Sequence, residues 1–262
     1  MKRLWKNIWA KNILSSVIRL KTFLETSLSI NMTNKYAIIV AGGSGSRMKS
    51  DIPKQFIEVG GLPILMHTLK RFKEADSEIE LILVLPESQL DYWKELCSKY
   101  PAVPHQLVKG GKTRFQSGLN GLQVIGNEGL VAIHDGVRPF VSVEIINESF
   151  RIAAKKGTAV VSVPSKDSVR VNGQAIDRST VRIIQTPQTF QITLIKKAFE
   201  TEELDSFTDD ASVAEHAGFE INLIEGNYEN IKITTPEDLL WAEIIINAGR
   251  QFHCGSNPAS VS

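Results

Sequence analysis

The chain has 262 residues, 42% hydrophobic and 23% charged, the balance of an ordinary folded protein. A net charge of +1 supplies no global field to draw it to nucleic acid or to a membrane. Cys97 and Cys254 make no C-x-x-C pair, which argues for a reducing, cytoplasmic setting without structural zinc, and no apolar run reaches the roughly 18 residues a membrane span needs.

Residues 1–34 differ from the rest. Lys2, Arg3, Lys6, Lys11, Arg19 and Lys21 are opposed only by Glu25, while Trp5, Ile8, Trp9, Ile13, Val17, Leu20 and Leu24 recur at helical spacing. This pattern fits an amphipathic surface helix or a targeting segment. It lacks the compact apolar stretch and small-residue cleavage site of a secretory signal. The plainer expectation is that Met32 is the natural start, because Met32 to Gly43 leads directly into the first strand.

The stretch from Tyr36 to Gln55 organises the rest of the chain. Ala37 to Ala41 is a short, uninterrupted, β-branched run, expected to be a strand buried on both faces. It breaks into Gly42-Gly43-Ser44-Gly45-Ser46, a turn that lets backbone approach a ligand and leaves N–H groups exposed. Arg47 and Lys54 come next, so exposed donors and two fixed cations sit together, as a polyphosphate requires. A dinucleotide fingerprint fails because position 48 is Met48, and a P-loop ending at Gly111-Lys112-Thr113 fails because position 106 is Gln106.

Beyond this loop the spacing predicts helix over 62–72, strand over 79–85, helix over 87–100, strand over 105–108 and helix over 113–125. Strand is expected over 130–133, helix over 144–155 and strand over 158–163. The alternation argues for a parallel sheet covered by helices on both faces. Ligands of such sheets lie beyond the carboxyl ends of the strands. The Gly42 loop, the Gly110-Gly111 turn and His134-Asp135 all fall there. The rhythm then breaks at about 166–184, where Asn172-Gly173 between two β-rich runs signals a hairpin, either a local flap or an arm reaching elsewhere. The segment from 249 to 262 is rich in Gly, Ser and Asn and is expected to be a disordered tail, leaving 35–248 as one domain.

Several motifs carry a resemblance. AGGSGSRM with PKQF, the G-G-x-x-R-x-x-S pattern of Gly110, Gly111, Arg114 and Ser117, HDGVRP at 134–139, TDDAS at 208–212 and NIKITTPEDL at 230–239 are together similar to one family. It is the 2-C-methyl-D-erythritol 4-phosphate cytidylyltransferase family of nucleotidyltransferases, of the non-mevalonate isoprenoid pathway. The resemblance runs from about Lys35 to Ile246. It implies a Rossmann-like, mostly parallel twisted sheet, a protruding β-arm used for dimerisation, CTP and methylerythritol phosphate as substrates, and Mg2+ as cofactor.

By the same resemblance Arg47, Lys54 and Lys232 are the catalytic cations, and Asp135 is the metal ligand. Ala41, Gly42, Gly43, Gly45, Gly110, Gly111, Ser117, Asp135 and Gly136 bind the nucleotide. Arg138, Thr186, Thr208 and Arg178 bind the acceptor, with Arg178 arriving from the arm of a second subunit. Ser117 is also readable as a plain helix residue and Thr208 as a helix N-cap, and the residues alone do not separate these roles. Thr235, Pro236 and Asp238 are explained by helix capping; Lys232 is not. His134-Asp135-Gly136-Val137 departs from the family's usual D-A-A at this point. Other readings are a ribitol-5-phosphate cytidylyltransferase, a UTP- or GTP-dependent sugar nucleotidyltransferase, or a non-catalytic nucleotide-binding protein. Since an acceptor phosphate is already dianionic near neutral pH, no general base is expected, and His134 is read as structural.

Overall fold

The computed structural model describes residues 34–43, 48 and 52–254. The basic segment 1–33, Gly45 and Arg47 of the glycine loop, and residues 255–262 lie outside them, and with these the expectations placed there.

The first strand, β1 (Lys35–Val40), runs through the middle of a seven-stranded sheet. Its Ala37 and Ile39 enter one core cluster and its Tyr36 and Ile38 the other, which is why the run is apolar at every position. A short helical turn at Lys54–Phe56 and a two-stranded ribbon, β2 (Glu58–Val59) with β3 (Leu62–Pro63), precede α1 (Ile64–Ala75). Helix α1 therefore starts two residues later than its spacing suggests, because Leu62 and Pro63 are held in the ribbon. Then come β4 (Glu80–Leu85), α2 (Leu90–Lys99), β5 (Gln106–Lys109), α3 (Arg114–Gln123), β6 (Leu130–Asp135), α4 (Val143–Lys156) and β7 (Thr158–Pro164).

The arm is a hairpin of β8 (Val169–Val171) and β9 (Gln174–Ile176), turning through Asn172 and Gly173 at φ 50° and 81°. Two positive φ values in succession are what a tight primed hairpin turn needs, and Asn-Gly supplies them. The arm is narrower than the sequence suggests. Arg182, Ile183 and Ile184 already pair with Pro164, Val163 and Ser162 as the start of β10 (Arg182–Gln191). That strand runs antiparallel between β6 and β7, so the sheet is mostly but not wholly parallel. The chain finishes with α5 (Ile192–Ala198), α6 (Asp210–His216), β11 (Leu223–Glu225) and α7 (Pro236–Cys254). Helix α7 continues through 249–254, where the sequence reading begins a disordered tail. No helix among the described residues is long and apolar enough to cross a membrane.

Strand order is β11-β7-β10-β6-β1-β4-β5. Side chains of α1, α2 and α4, among them Leu65, Phe72, Trp93 and Phe150, cover one face. Those of α3, α5 and α6, among them Leu122, Ile195 and Val213, cover the other. A smaller cluster of Val59, Ile64, Val137, Phe140, Ile233 and Ala242 fixes α7 and the segment before it against the loop after β6.

Helix α3 lies close to β1 and β4 because Gly121 has no side chain. A Cβ there would sit 2.6 Å from Ile38 Cγ2 and 3.3 Å from Val84 Cγ2. Gly121→Ala should therefore destabilise the protein by about 1–2 kcal/mol, the cost of overpacking exceeding the helix-propensity gain of alanine. Urea unfolding midpoints check this, and an unchanged or raised midpoint contradicts the close-packing account.

Candidate active site

The carboxyl ends of β1, β5 and β6 point to one rim of the sheet, and a cleft of about 260 Å3 opens there. Ala41 to Gly43 line one side, Gly111 to Arg114 with Ser117 the other, and Lys54, Asp135 and Lys232 meet within it. A second cleft of about 170 Å3, lined by Arg138, Thr186, Gln188, Thr208 and Asp209, shares Arg114, Asp135 and Lys232 with the first. The two clefts thus join at those three residues.

Asp135 ends β6 and is buried. Lys232 Nζ lies 3.0 Å from its Oδ2, Arg138 Nε 3.3 Å from the same oxygen, and Arg114 Nε 3.7 Å from Oδ1. Burial pushes the carboxyl pKa up, but Arg114, Lys232 and Arg138 together outweigh it and hold the group well below the usual carboxylate range. Its backbone N–H donates to Thr186 Oγ1 at 3.1 Å. Arg138 is fixed from its far side by a 2.8 Å hydrogen bond from Nη1 to the Asn230 carbonyl. Asn230 itself is buried, donating to Gln185 Oε1 and to the Thr186 carbonyl at 3.1 and 2.9 Å.

Lys54 is buried at the start of its helical turn, and its Nζ donates to the Ile233 carbonyl at 3.2 Å, beside Lys232. Two cations far apart in sequence thereby face one space. Gln55 Nε2 donates to the Ala41 carbonyl at 2.9 Å and steadies the end of β1. The Ala41 N–H is taken by the Val84 carbonyl at 3.0 Å and the Gly110 N–H by that of Leu85 at 2.8 Å. Ser117 Oγ accepts from the Gly111 N–H at 3.1 Å and donates to the Thr113 carbonyl at 2.8 Å. Ser117 thus shapes its own loop while still lining the cleft. Gly110 and Gly136 stand behind the wall. A Cβ on Gly136 would lie 2.8 Å from that of Ala41, so glycine here lets the loop after β6 pack on the end of β1.

Beside the second cleft, α6 is capped by Asp209, which accepts from the Ser212 N–H in a reciprocal capping box. Thr208 is therefore not the cap, and it lines the second cleft. Gln188 of β10 braces this loop, donating to Asp209 Oδ2 and accepting from the Ala211 N–H, both at 2.8 Å. Arg178 lines neither cleft; it is exposed on the arm, its Nη1 donating to the Lys166 carbonyl at 3.3 Å. Thr234 and Thr235 N–H groups both donate to Asp238 Oδ2 at 2.8 Å, so the start of α7 is capped as its motif suggests.

Arg114 lines both clefts, yet the sequence gives it no role beyond its place in the G-G-x-x-R-x-x-S match. Here its Nη2 is 2.6 Å from Asp210 Oδ2, and the two carboxylates beside it raise its pKa despite burial. Gln188 and Asn230 do lie in matched segments, Gln188 two residues after Thr186 and Asn230 opening NIKITTPEDL, but the sequence gives neither a role of its own.

Asp135 is the one carboxylate that lines the larger cleft, and among the described residues no group of three or more His, Cys, Asp or Glu is arranged to hold a metal ion by itself. A single carboxylate beside a cationic cleft suits Mg2+ shared with substrate phosphates and does not suit zinc.

His134 is fully buried below the site, its Nε2 3.0 Å from the Arg138 carbonyl and its ring edge-on to Phe72. Burial pushes its pKa down to about 4 from 6.5. The folded state therefore holds a neutral imidazole where the unfolded chain binds a proton, and stability is lost as pH falls from about 6.5 to about 4, by roughly 1.4 kcal/mol per pH unit at most. In metal-free buffer, urea unfolding at pH 7 and pH 4.5 should show a smaller fall for His134→Gln than for the unchanged protein. Equal falls contradict this.

Similarity to known proteins points the same way. A family model described as IspD, 2-C-methyl-D-erythritol 4-phosphate cytidylyltransferase, matches residues 36–248. The 2-C-methyl-D-erythritol 4-phosphate cytidylyltransferase of Phocaeicola vulgatus is 48% identical over 218 residues, covering 81% of this chain and 100% of its own length. That of Porphyromonas gingivalis is 48% identical over 220 residues, 82% of this chain and 98% of its own. The solved 4-diphosphocytidyl-2C-methyl-D-erythritol synthase of Anaerococcus prevotii superposes with a TM-score of 0.70 at 33% identity, covering 82% of this chain and 96% of that one. The Thermus thermophilus 2-C-methyl-D-erythritol 4-phosphate cytidylyltransferase gives 0.65 at 28% identity, over 82% and 100%.

Proposed function

The chain belongs to the 2-C-methyl-D-erythritol 4-phosphate cytidylyltransferase family, and on that premise we propose how its two joined clefts carry the family's reaction. The protein transfers a cytidylyl group from CTP to 2-C-methyl-D-erythritol 4-phosphate, yielding 4-diphosphocytidyl-2-C-methyl-D-erythritol and pyrophosphate. The observation that carries the mechanism is the meeting of Lys54 and Lys232 above the buried carboxylate of Asp135, at the junction of the two clefts.

An acceptor phosphate oxygen attacks the α-phosphorus of CTP in line. The bond from that oxygen to the α-phosphorus forms as the α–β phosphoanhydride bond breaks, and pyrophosphate carries away the electron pair. No proton has to be removed from the nucleophile near neutral pH, and His134, buried beneath the cleft, keeps its structural role. Lys54 and Lys232 offset the charge that builds on the α-phosphoryl oxygens, and because the fold already holds them in place they need no reorganisation. Arg47, in the glycine loop, takes a third share of that charge. Asp135 would hold Mg2+, which when bound neutralises part of the triphosphate charge.

Backbone of Ala41 to Gly43, with Gly111 and Ser117, borders the base end of the nucleotide, while Gly110 and Gly136 set the cleft's walls; Gly45 is assigned to the nucleotide by its family motif alone. Arg138, Thr186 and Thr208 receive the acceptor. Arg178 completes that site from a second copy of the chain. The exposed apolar arm residues Val171 and Ile176, and Arg178's absence from its own chain's clefts, support this exchange within a homodimer.

Pyrophosphate release from each of four nucleoside triphosphates, with methylerythritol phosphate or ribitol phosphate as acceptor, tests the reading. Turnover should be confined to CTP with methylerythritol phosphate. Lys54→Ala should lower kcat about 100-fold or more, with a far smaller change in CTP affinity, as for loss of a group acting mainly in the transition state. Preference for ribitol phosphate overturns the acceptor, and an unchanged kcat overturns the role of Lys54.

A further inference from the structure

We propose that Arg114 is the positioning residue that couples the acceptor half of the site to the nucleotide half, by bridging Asp210 of the acceptor loop to Asp135 of the nucleotide cleft. The inference rests on the functional reading above and adds the means by which the two halves are held in register.

Arg114 is the first residue of α3, set there by Thr113, whose side chain accepts from the Gln116 N–H. Its guanidinium faces carboxylates on two sides, Asp210 Oδ2 2.6 Å from Nη2 and Asp135 Oδ1 3.7 Å from Nε. A planar fork of five donors can serve both at once; a lysine ammonium at the end of a flexible stem cannot hold the same two directions. Arg114 also borders both clefts.

Asp210 is the more telling partner. Its side chain is fully buried, and Arg114 is the one cation paired with it among the described residues. Its Oδ1 has no hydrogen-bond partner there. Burial, with the neighbouring acids Asp209 and Asp135, raises its pKa above the usual carboxylate value, and Arg114 is the group that opposes this. The 2.6 Å ion pair with Arg114 is thus what compensates the buried charge and holds the side chain in place. Asp210 opens α6 directly after Thr208 and Asp209, both lining the acceptor cleft. The position of Thr208 therefore depends on Arg114 through Asp210. Gln188 also braces this loop, but its bonds go to the Asp209 carboxylate and the Ala211 N–H and bring no charge to Asp210.

Removing the guanidinium leaves Asp210 a buried, unpaired anion, and the loop has reason to move outward toward water. Making Asp210 neutral at the same time removes that reason. This asymmetry separates coupling through Asp210 from direct contact between Arg114 and nucleotide. The test is a double-mutant cycle on the full-length chain, with the CTP dissociation constant measured calorimetrically without acceptor and the KM for methylerythritol phosphate measured at saturating CTP.

Arg114→Met should raise the acceptor KM at least tenfold and shift the CTP dissociation constant by less than threefold. Adding Asp210→Asn should return the acceptor KM to within threefold of the unchanged protein. An acceptor KM that does not rise, a CTP shift as large as the acceptor shift, or no recovery in the double variant overturns the proposal. Should Arg114→Met not fold, Arg114→Lys replaces it in the same cycle, because an ammonium cannot meet both carboxylates. A threefold or greater rise in acceptor KM at constant CTP affinity, relieved by adding Asp210→Asn, supports the bridge, and any other result overturns it. Unchanged protein that fails to use methylerythritol phosphate sinks the functional reading first, so the two failures are told apart.

Discussion

Everything at the rim of this sheet turns on a buried carboxylate held between cations. Asp135 lies at the end of a fully buried strand, where an isolated charge would be expelled or protonated. It remains an anion because Lys232, Arg138 and Arg114 come within 3.0, 3.3 and 3.7 Å. Those three belong to the segment before α7, the loop after β6 and the first turn of α3. Arg138 is local, three residues on in the turn after Asp135, but Lys232 and Arg114 are brought there only by tertiary structure, so this charge cluster is complete only when the whole sheet has closed. What is costly for stability is useful for chemistry: the cations are fixed before substrate arrives, and the energy of assembling them is supplied by the hydrophobic clusters on either side of the sheet.

The site has two halves with different origins in the fold. The nucleotide half grows from the parallel strands β1, β5 and β6, whose ends aim backbone and Asp135 at one space. The acceptor half grows from β10 and the loop leading to α6, which belong to the antiparallel part of the sheet. A buried polar network of Gln185, Thr186, Asn230 and Arg138 joins β10 to the segment carrying Lys232. A core made only of aliphatic side chains could pack as tightly without holding a guanidinium in one orientation. The network restricts Arg138 to the direction in which it meets Asp135.

Much of this is legible in the sequence. The strands of the parallel half stand out because burial on both faces leaves them apolar at every position, and Asn172-Gly173 announces the arm because few residues tolerate two positive φ values. Lys54 and Lys232 are legible by their settings, one beside a glycine loop and one left over when capping explains its neighbours. Strand β10 is harder to see. Gln185, Thr186, Gln188 and Thr189 are polar yet buried, satisfied by hydrogen bonds to other segments, so the run has no apolar signature. Arg114 is hidden for the same reason: only tertiary contact reveals that a first-turn arginine faces two acids. Thr208 reads as a cap until the geometry gives that task to Asp209. The length of α7 past residue 248 was hidden by composition, since the glycine at 249 lies inside the helix.

A crystal structure of the protein soaked with CTP and Mg2+ tests the central claim most directly. The account expects the triphosphate at the junction of the two clefts, with Lys54 and Lys232 within hydrogen-bonding distance of phosphate oxygens and the metal on Asp135. A nucleotide bound elsewhere on the surface, or one whose phosphates point away from Asp135 and both lysines, contradicts it.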